Sequence, residues 1–370
     1  MRVLVTIAMF CCAATVLAGC GGGTTSLPAG GSPGSQIAYH PSLNASATVP
    51  AAFRCLPSGL PTGAGYRPSL AYMSHCAVAD APEAATLQKL AVALMAQGSG
   101  SFSEYCTGTP LYYDAATNVG FVVTAAHCVV GNHKAADSAV TPKNITTFAS
   151  GNDWIYQGTP GIVSGSAELT GQIQAVYVPS QYCYAPAFNA SGCSDLARQN
   201  GDVAVVKVTG NGSRALEVDH RLRLAPANAV LQHASEIMAL GYGTNTSSTP
   251  DDRVLYYITY RYYANDAFDG ASSELSLMNG YHHNGNFYSI ICQGDSGGGD
   301  FYWDGTHWNL VGAHSWGPTP CGVWGSHYTT GYDVSADTRS FDRWIHLIVR
   351  DDVKPTGCAS LGSSYVCKAR

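Results

Sequence analysis

The run Cys292-Gln293-Gly294-Asp295-Ser296-Gly297-Gly298 decides how the rest of the chain is read. One serine stands between glycines. A hydroxyl that is to act as a nucleophile needs open approach and backbone N–H donors nearby, and glycines on both sides leave room for both. An ordinary Gly-rich turn shares that composition, so the stretch settles nothing alone. Upstream stands Val123-Thr124-Ala125-Ala126-His127-Cys128, and between the two lies Asn200-Gly201-Asp202-Val203-Ala204-Val205-Val206-Lys207-Val208. A candidate base, an orienting carboxylate and a nucleophile thus follow one another in the order His, Asp, Ser.

Composition sets the class around these motifs. The 370 residues allow one large all-β domain with extensions, or two small domains. Only 12% of residues are charged, while 41 glycines and 22 tyrosines suit a turn-rich β protein rather than a disordered or coiled-coil chain. A formal net charge of −6 without a basic cluster argues against nucleic acid as a partner.

The first 19 residues have the pattern of a signal peptide: Arg2, an apolar stretch from Val3 to Leu17, then Leu17-Ala18-Gly19-Cys20. A cysteine directly after small residues resembles the lipobox of bacterial lipoproteins, which implies a diacylglyceryl group on Cys20; a plain secretory signal is the alternative. On the lipoprotein reading the chain is exported and anchored to the cell envelope, with the outer membrane expected from Gly21. No other run is long and apolar enough to cross a bilayer as a helix. Residues 20–50, rich in Gly, Ser, Thr, Pro and Ala, are expected to be a flexible tether.

Residues 51–100 form an expected N-terminal extension. Asp80-Ala81-Pro82-Glu83 looks like a helix start, and Leu87, Leu90, Ala91 and Leu94 share a helical face, so a helix is expected over 81–97. From about 101 the pattern is strand-like, with Gly120–Thr124, Ile173–Val178, Val203–Val208 and Leu310–His314 as clear β runs. Ser340–Val349 spaces its apolar residues as a closing helix would, and 351–370 is left as a tail closed by a disulfide.

The three ordered motifs together resemble the trypsin/chymotrypsin-type serine proteases, from about Cys106 to Ile348. The resemblance implies an all-β fold of two six-stranded antiparallel barrels with a C-terminal helix, occupying residues 101–350. It also implies a serine endopeptidase acting on proteins or peptides, with His127 as general base, Asp202 holding its tautomer and Ser296 as nucleophile. The N–H groups of Gly294 and Ser296 would form the oxyanion hole, at about 3–4 kcal/mol per donor. Ser315-Trp316-Gly317 matches the strand that pairs with substrate, and Ser315 would bond to Asp202. An esterase with the same triad, or a silent binding module of the same fold, are the alternatives.

Two departures from the family follow. No Ile-Val-Gly-Gly-like start precedes Cys106, so Asp295 is expected to find a donor other than a freed N-terminus. The position six residues before Ser296 is Ile290, followed by Ile291, so no carboxylate waits there for Arg or Lys. An apolar pocket is expected, unless His314 points into it and receives glutamate. Thirteen cysteines, less Cys11, Cys12 and Cys20, leave ten. The resemblance pairs Cys106–Cys128 and Cys292–Cys321; closeness in sequence pairs Cys55–Cys76, Cys183–Cys193 and Cys358–Cys367. No metal site, no cofactor and a monomer are expected, since His127-Cys128 and His282-His283 lack zinc-ligand spacing.

Overall fold

The computed structural model describes residues 48–55, 76–97, 102–130, 145, 153–158, 168–180, 182, 201–212, 214–232, 235–243, 254–265, 274–279, 282–283, 286–287, 293–316, 332–351 and 358–367. The signal peptide, Cys20, almost all of the tether, Ile290, Ile291, Gly317 and the pairs Cys183–Cys193 and Cys292–Cys321 lie outside these residues.

The strands run β1 (Cys76–Ala77), β2 (Val92–Gln97), β3 (Phe102–Asp114), β4 (Val119–Thr124), β5 (Asp153–Tyr156), β6 (Gly171–Pro179) and β7 (Ala204–Gly210). Then follow β8 (Leu222–Leu224), β9 (Glu236–Gly241), β10 (Tyr256–Asn265), β11 (Glu274–Asn279), β12 (His282–His283), β13 (Asn286–Phe287), β14 (Gly299–Trp303), β15 (Trp308–Trp316) and β16 (Tyr332–Asp337). The last pair is β17 (Cys358–Leu361) and β18 (Ser364–Cys367), and the α-helices are α1 (Ala84–Leu87), α2 (Ala126–Val129) and α3 (Asp342–Asp351).

Pairing in the order β2-β3-β4-β7-β6-β5, with β5 returning to β2, closes a first six-stranded antiparallel barrel. The order β9-β10-β11-β16-β15-β14, with β14 returning to β9, closes a second. Closure removes the exposed sheet edges that invite aggregation. The apolar run Val203–Val208 shows why these strands do not alternate with polar residues. Ala204, Val206 and Val208 join Val92, Leu94, Val122, Ile155 and Ile173 in the first barrel's interior. Val203 and Val205 point the other way, into the core shared with Leu240, Phe301 and Leu310 of the second barrel. Side chains alternate faces along a strand, and here both faces are buried.

One expectation is corrected. The helix over 81–97 is not formed: α1 is one turn, a 3₁₀ turn covers Gln88–Leu90, and Ala91 turns to extended backbone. Val92–Gln97 is then the first barrel strand, so the barrel begins ahead of residue 101. Val92 and Leu94 face the barrel interior while Ala93 and Met95 face the shared core, a period of two that a one-sided helical stripe could not satisfy. Residues 358–367 extend the sheet of the first barrel. β17 and β18 form a hairpin closed by Cys358–Cys367, and β18 runs parallel to β6, stacking Tyr365 on Tyr177 at 4.9 Å. The N-terminal extension packs onto the body of the protein. Val49 and Phe53 are buried, Phe53 meets Trp308 edge-on at 5.0 Å, Cys55 is bonded to Cys76, and β1 pairs with β10.

The closing helix, expected from Ser340, begins at Asp342 after a 3₁₀ turn over Thr338–Phe341. Its Trp344, Ile345, Ile348 and Val349 are buried on one face.

Candidate active site

β4 ends at Thr124, and the chain turns at once into α2, which carries His127 to the junction of the two barrels. Cys106 on β3 ties α2 down through its bond to Cys128. Asp202 stands just before β7, the strand next to β4, and reaches α2 from the side. Its Oδ1 accepts the His127 backbone N–H at 2.8 Å, and its Oδ2 faces His127 Nδ1 at 2.8 Å. Ser315 Oγ, on β15 of the second barrel, donates to the same Oδ2 at 2.5 Å.

Three donors around one buried carboxylate decide its charge. Burial pushes the Asp202 pKa up, but the His127 charge and the hydrogen bonds from His127 and Ser315 outweigh it, leaving it below the ordinary carboxylate value. For His127, burial works to lower the pKa, and the Asp202 charge and hydrogen bond override it, so the imidazole pKa is raised. The imidazole remains 22% exposed against 7% for Asp202, so one edge of the ring can meet a substrate.

Ser296 lies on a tight turn from Gln293 to Gly297, held from several sides. Its carbonyl accepts from Thr107 N at 2.8 Å, and Cys128 Sγ is 3.5 Å from the same oxygen, which sets the serine turn against α2. Gly298 N donates to Asp295 O at 2.8 Å and Gly297 N to His314 O at 2.7 Å. Gly297 has φ +81°, and a Cβ there would come within 2.7 Å of Ala125 N, so only glycine lets the turn pack onto the His127 segment. Asp295 is buried, and its Oδ1 accepts from Gly243 N at 2.7 Å.

His314 sits on the opposite side of β15 from Ser315. Its Nε2 is 2.8 Å from Asp300 Oδ1, with 3% and 0% of the two side chains exposed. Asp300 was not singled out in the sequence; its place just beyond the serine's glycines, in Gly297-Gly298-Gly299-Asp300, was the available signal. Thr107 and Gly243 were also missed. The Trp316 backbone pairs with that of Val334. Among the described residues, Cys106, His127 and Cys128 bring three potential metal-ligand atoms together, but the two sulfurs are bonded to each other at 1.99 Å and the imidazole Nδ1 faces Asp202.

The sequence matches the trypsin family model over residues 90–345, well over half of the chain, and the protein belongs to the trypsin family. Membership supports a serine-protease type of function in broad terms, in a family that acts on protein substrates. Among solved structures, human heparin binding protein is similar at 16% identity and a TM-score of 0.47, covering 72% of this chain and 91% of its own. No curated protein matches the sequence.

Proposed function

We propose that the chain is an exported serine endopeptidase that cleaves proteins through an acyl-enzyme on Ser296. The observation that carries this reading is the Asp202 carboxylate, bonded to the His127 backbone N–H, to His127 Nδ1 and to Ser315 Oγ, while the next residue of the same helix, Cys128, lies against the Ser296 turn. His127 takes the Ser296 hydroxyl proton as Oγ bonds to the scissile carbonyl carbon. The oxygen that gains negative charge is received by the Gly294 and Ser296 N–H groups. Collapse breaks the C–N bond and passes the proton from His127 to the leaving amine. Water then attacks the ester by the same route and frees Ser296.

The pocket is proposed to be apolar. Ile290 and Ile291 offer no charge, and the committed, buried His314–Asp300 pair carries no net positive charge to receive glutamate. A substrate Arg or Lys would be desolvated without a partner, at several kcal/mol. Disulfides at Cys55–Cys76, Cys106–Cys128 and Cys358–Cys367 fit an oxidising compartment outside the cytoplasm, and lipidation of Cys20 would hold the enzyme at the envelope. The test is turnover of a denatured, varied protein, with the cut sites mapped by mass. The reading expects cuts after apolar or aromatic residues, abolished in Ser296→Ala; strong cleavage after Arg or Lys would overturn the pocket.

A further inference from the structure

Thr107, fully buried on β3, contacts the serine turn and both of the turn's neighbours. Its hydroxyl donates to Gly294 O at 2.8 Å and accepts from Tyr242 N at 2.9 Å. One proton and one lone pair are thereby committed, which fixes the hydroxyl rotor. The backbone of the same residue donates to Ser296 O at 2.8 Å and accepts from Thr124 Oγ1 at 2.7 Å. One residue earlier, Cys106 anchors α2 and His127. Adjacent positions on one strand therefore hold the segment of the base and the segment of the nucleophile.

The hydroxyl matters most at Gly294. This glycine has φ +99°, in the region that glycine enters freely, and its neighbouring peptide planes can swing at little cost. A swing would turn a donor N–H away from the oxyanion. Binding Gly294 O fixes the peptide plane on one side of the hinge and narrows the directions open to the N–H on the other. The Gly243 N–H on Asp295 Oδ1 secures the next residue, and Tyr242, which Thr107 holds through its backbone N–H, precedes that glycine. The turn is thus braced by hydrogen bonds from β3 and from the 241–243 segment.

We propose that Thr107 is a positioning residue for the oxyanion hole: its hydroxyl, together with the Gly243 N–H, keeps the Gly294–Ser296 turn receptive in the uncleaved chain. No freed N-terminus beside Asp295 is then required. The inference rests on the assignment of Ser296 as the nucleophile. The methyl group of Thr107 has no part in it, so serine should replace threonine and valine should not.

The experiment uses the full chain, with Thr107→Val, Thr107→Ser and Ser296→Ala beside wild type. Pre-steady-state acylation is followed with p-nitrophenyl acetate, phosphonylation with a phosphonofluoridate, and folding by thermal melting. Thr107→Val is expected to acylate at least tenfold more slowly, approaching the ~10²–10³-fold of a lost oxyanion donor, with KM little changed. Thr107→Ser should return to within about threefold of wild type, a rescue that lost packing would not allow. If Thr107→Val does not fold, Thr107→Ala is set against Thr107→Ser in the same way. Wild-type rates in a folded Thr107→Val, or equal losses in Thr107→Ser, would overturn this inference while leaving Ser296 in place. Activity that appears only after cleavage between residues 75 and 100 would also overturn it. A folded wild type that never acylates would sink the nucleophile assignment, and this inference with it.

Discussion

Two histidine–aspartate pairs share this molecule, and their bonds have the same length: His127–Asp202 and His314–Asp300, each at 2.8 Å. Their surroundings differ. His127 stands on a short helix at the barrel junction, 22% exposed, and its aspartate is shared with Ser315. His314 and Asp300 are sealed inside the second barrel. Neighbouring residues of β15 serve the two pairs, Ser315 one and His314 the other, where the register of β15 against β16 shifts. A His–Asp bond is therefore not a site by itself. On the proposed mechanism it is access of the exposed ring edge to a substrate that separates His127 from the buried His314.

The widest separation between the pairs should appear on deleting the reacting groups. Ser296→Ala and His127→Ala should each lose on the order of 10⁶ in kcat while melting within a few degrees of wild type. His314→Ala should instead fail chiefly in folding. Peptidase activity near wild type in purified Ser296→Ala would remove the contrast.

Asp202→Asn comes next. It keeps the shape but reverses the donor pattern toward His127 Nδ1, and a loss on the order of 10⁴ in kcat is expected at neutral pH. Asp300→Ala should show the opposite profile. It leaves a buried imidazole without its carboxylate, at about 3–5 kcal/mol of stability in urea unfolding, with the remaining folded fraction still active. A drop below about 1 kcal/mol would make the inner pair dispensable.

The smallest effect is in the pH profile. On the proposed mechanism His127 is the base and must be neutral, and its pKa is raised above the ordinary 6.5, burial notwithstanding, by Asp202. The acid limb of kcat/KM should therefore rise through a midpoint above 6.5 as pH increases. The same shift stabilises the fold below the unfolded value, and that contribution is lost as pH rises through the folded one. A midpoint at or below 6.5 would mean that Asp202 does not control this ring.

The parts of this molecule visible in the sequence are those whose cause is local. Thr-Ala-Ala-His-Cys, the Asp202 strand and the glycines of the serine turn each carry their geometry within a few residues. β2 was hidden because Leu87, Leu90, Ala91 and Leu94 satisfy a helical stripe, while the two cores that bury alternate residues of Val92–Met95 are assembled from strands spread along the chain. β17 offered no apolar alternation, since Ala359, Ser360 and Leu361 are exposed, and the β18 pairing with β6 spans about half of the chain. Thr107 and Gly294 are 187 positions apart, so nothing near either one announces their bond.

The central claim is that Ser296, activated by His127, is the nucleophile. Its most direct test is intact and peptide mass spectrometry of the full-length protein after treatment with a phosphonofluoridate. The account predicts one adduct per chain, on Ser296, formed in wild type and abolished or greatly slowed in His127→Ala. Folded wild-type protein that takes no adduct, or takes it on another residue, would contradict the account.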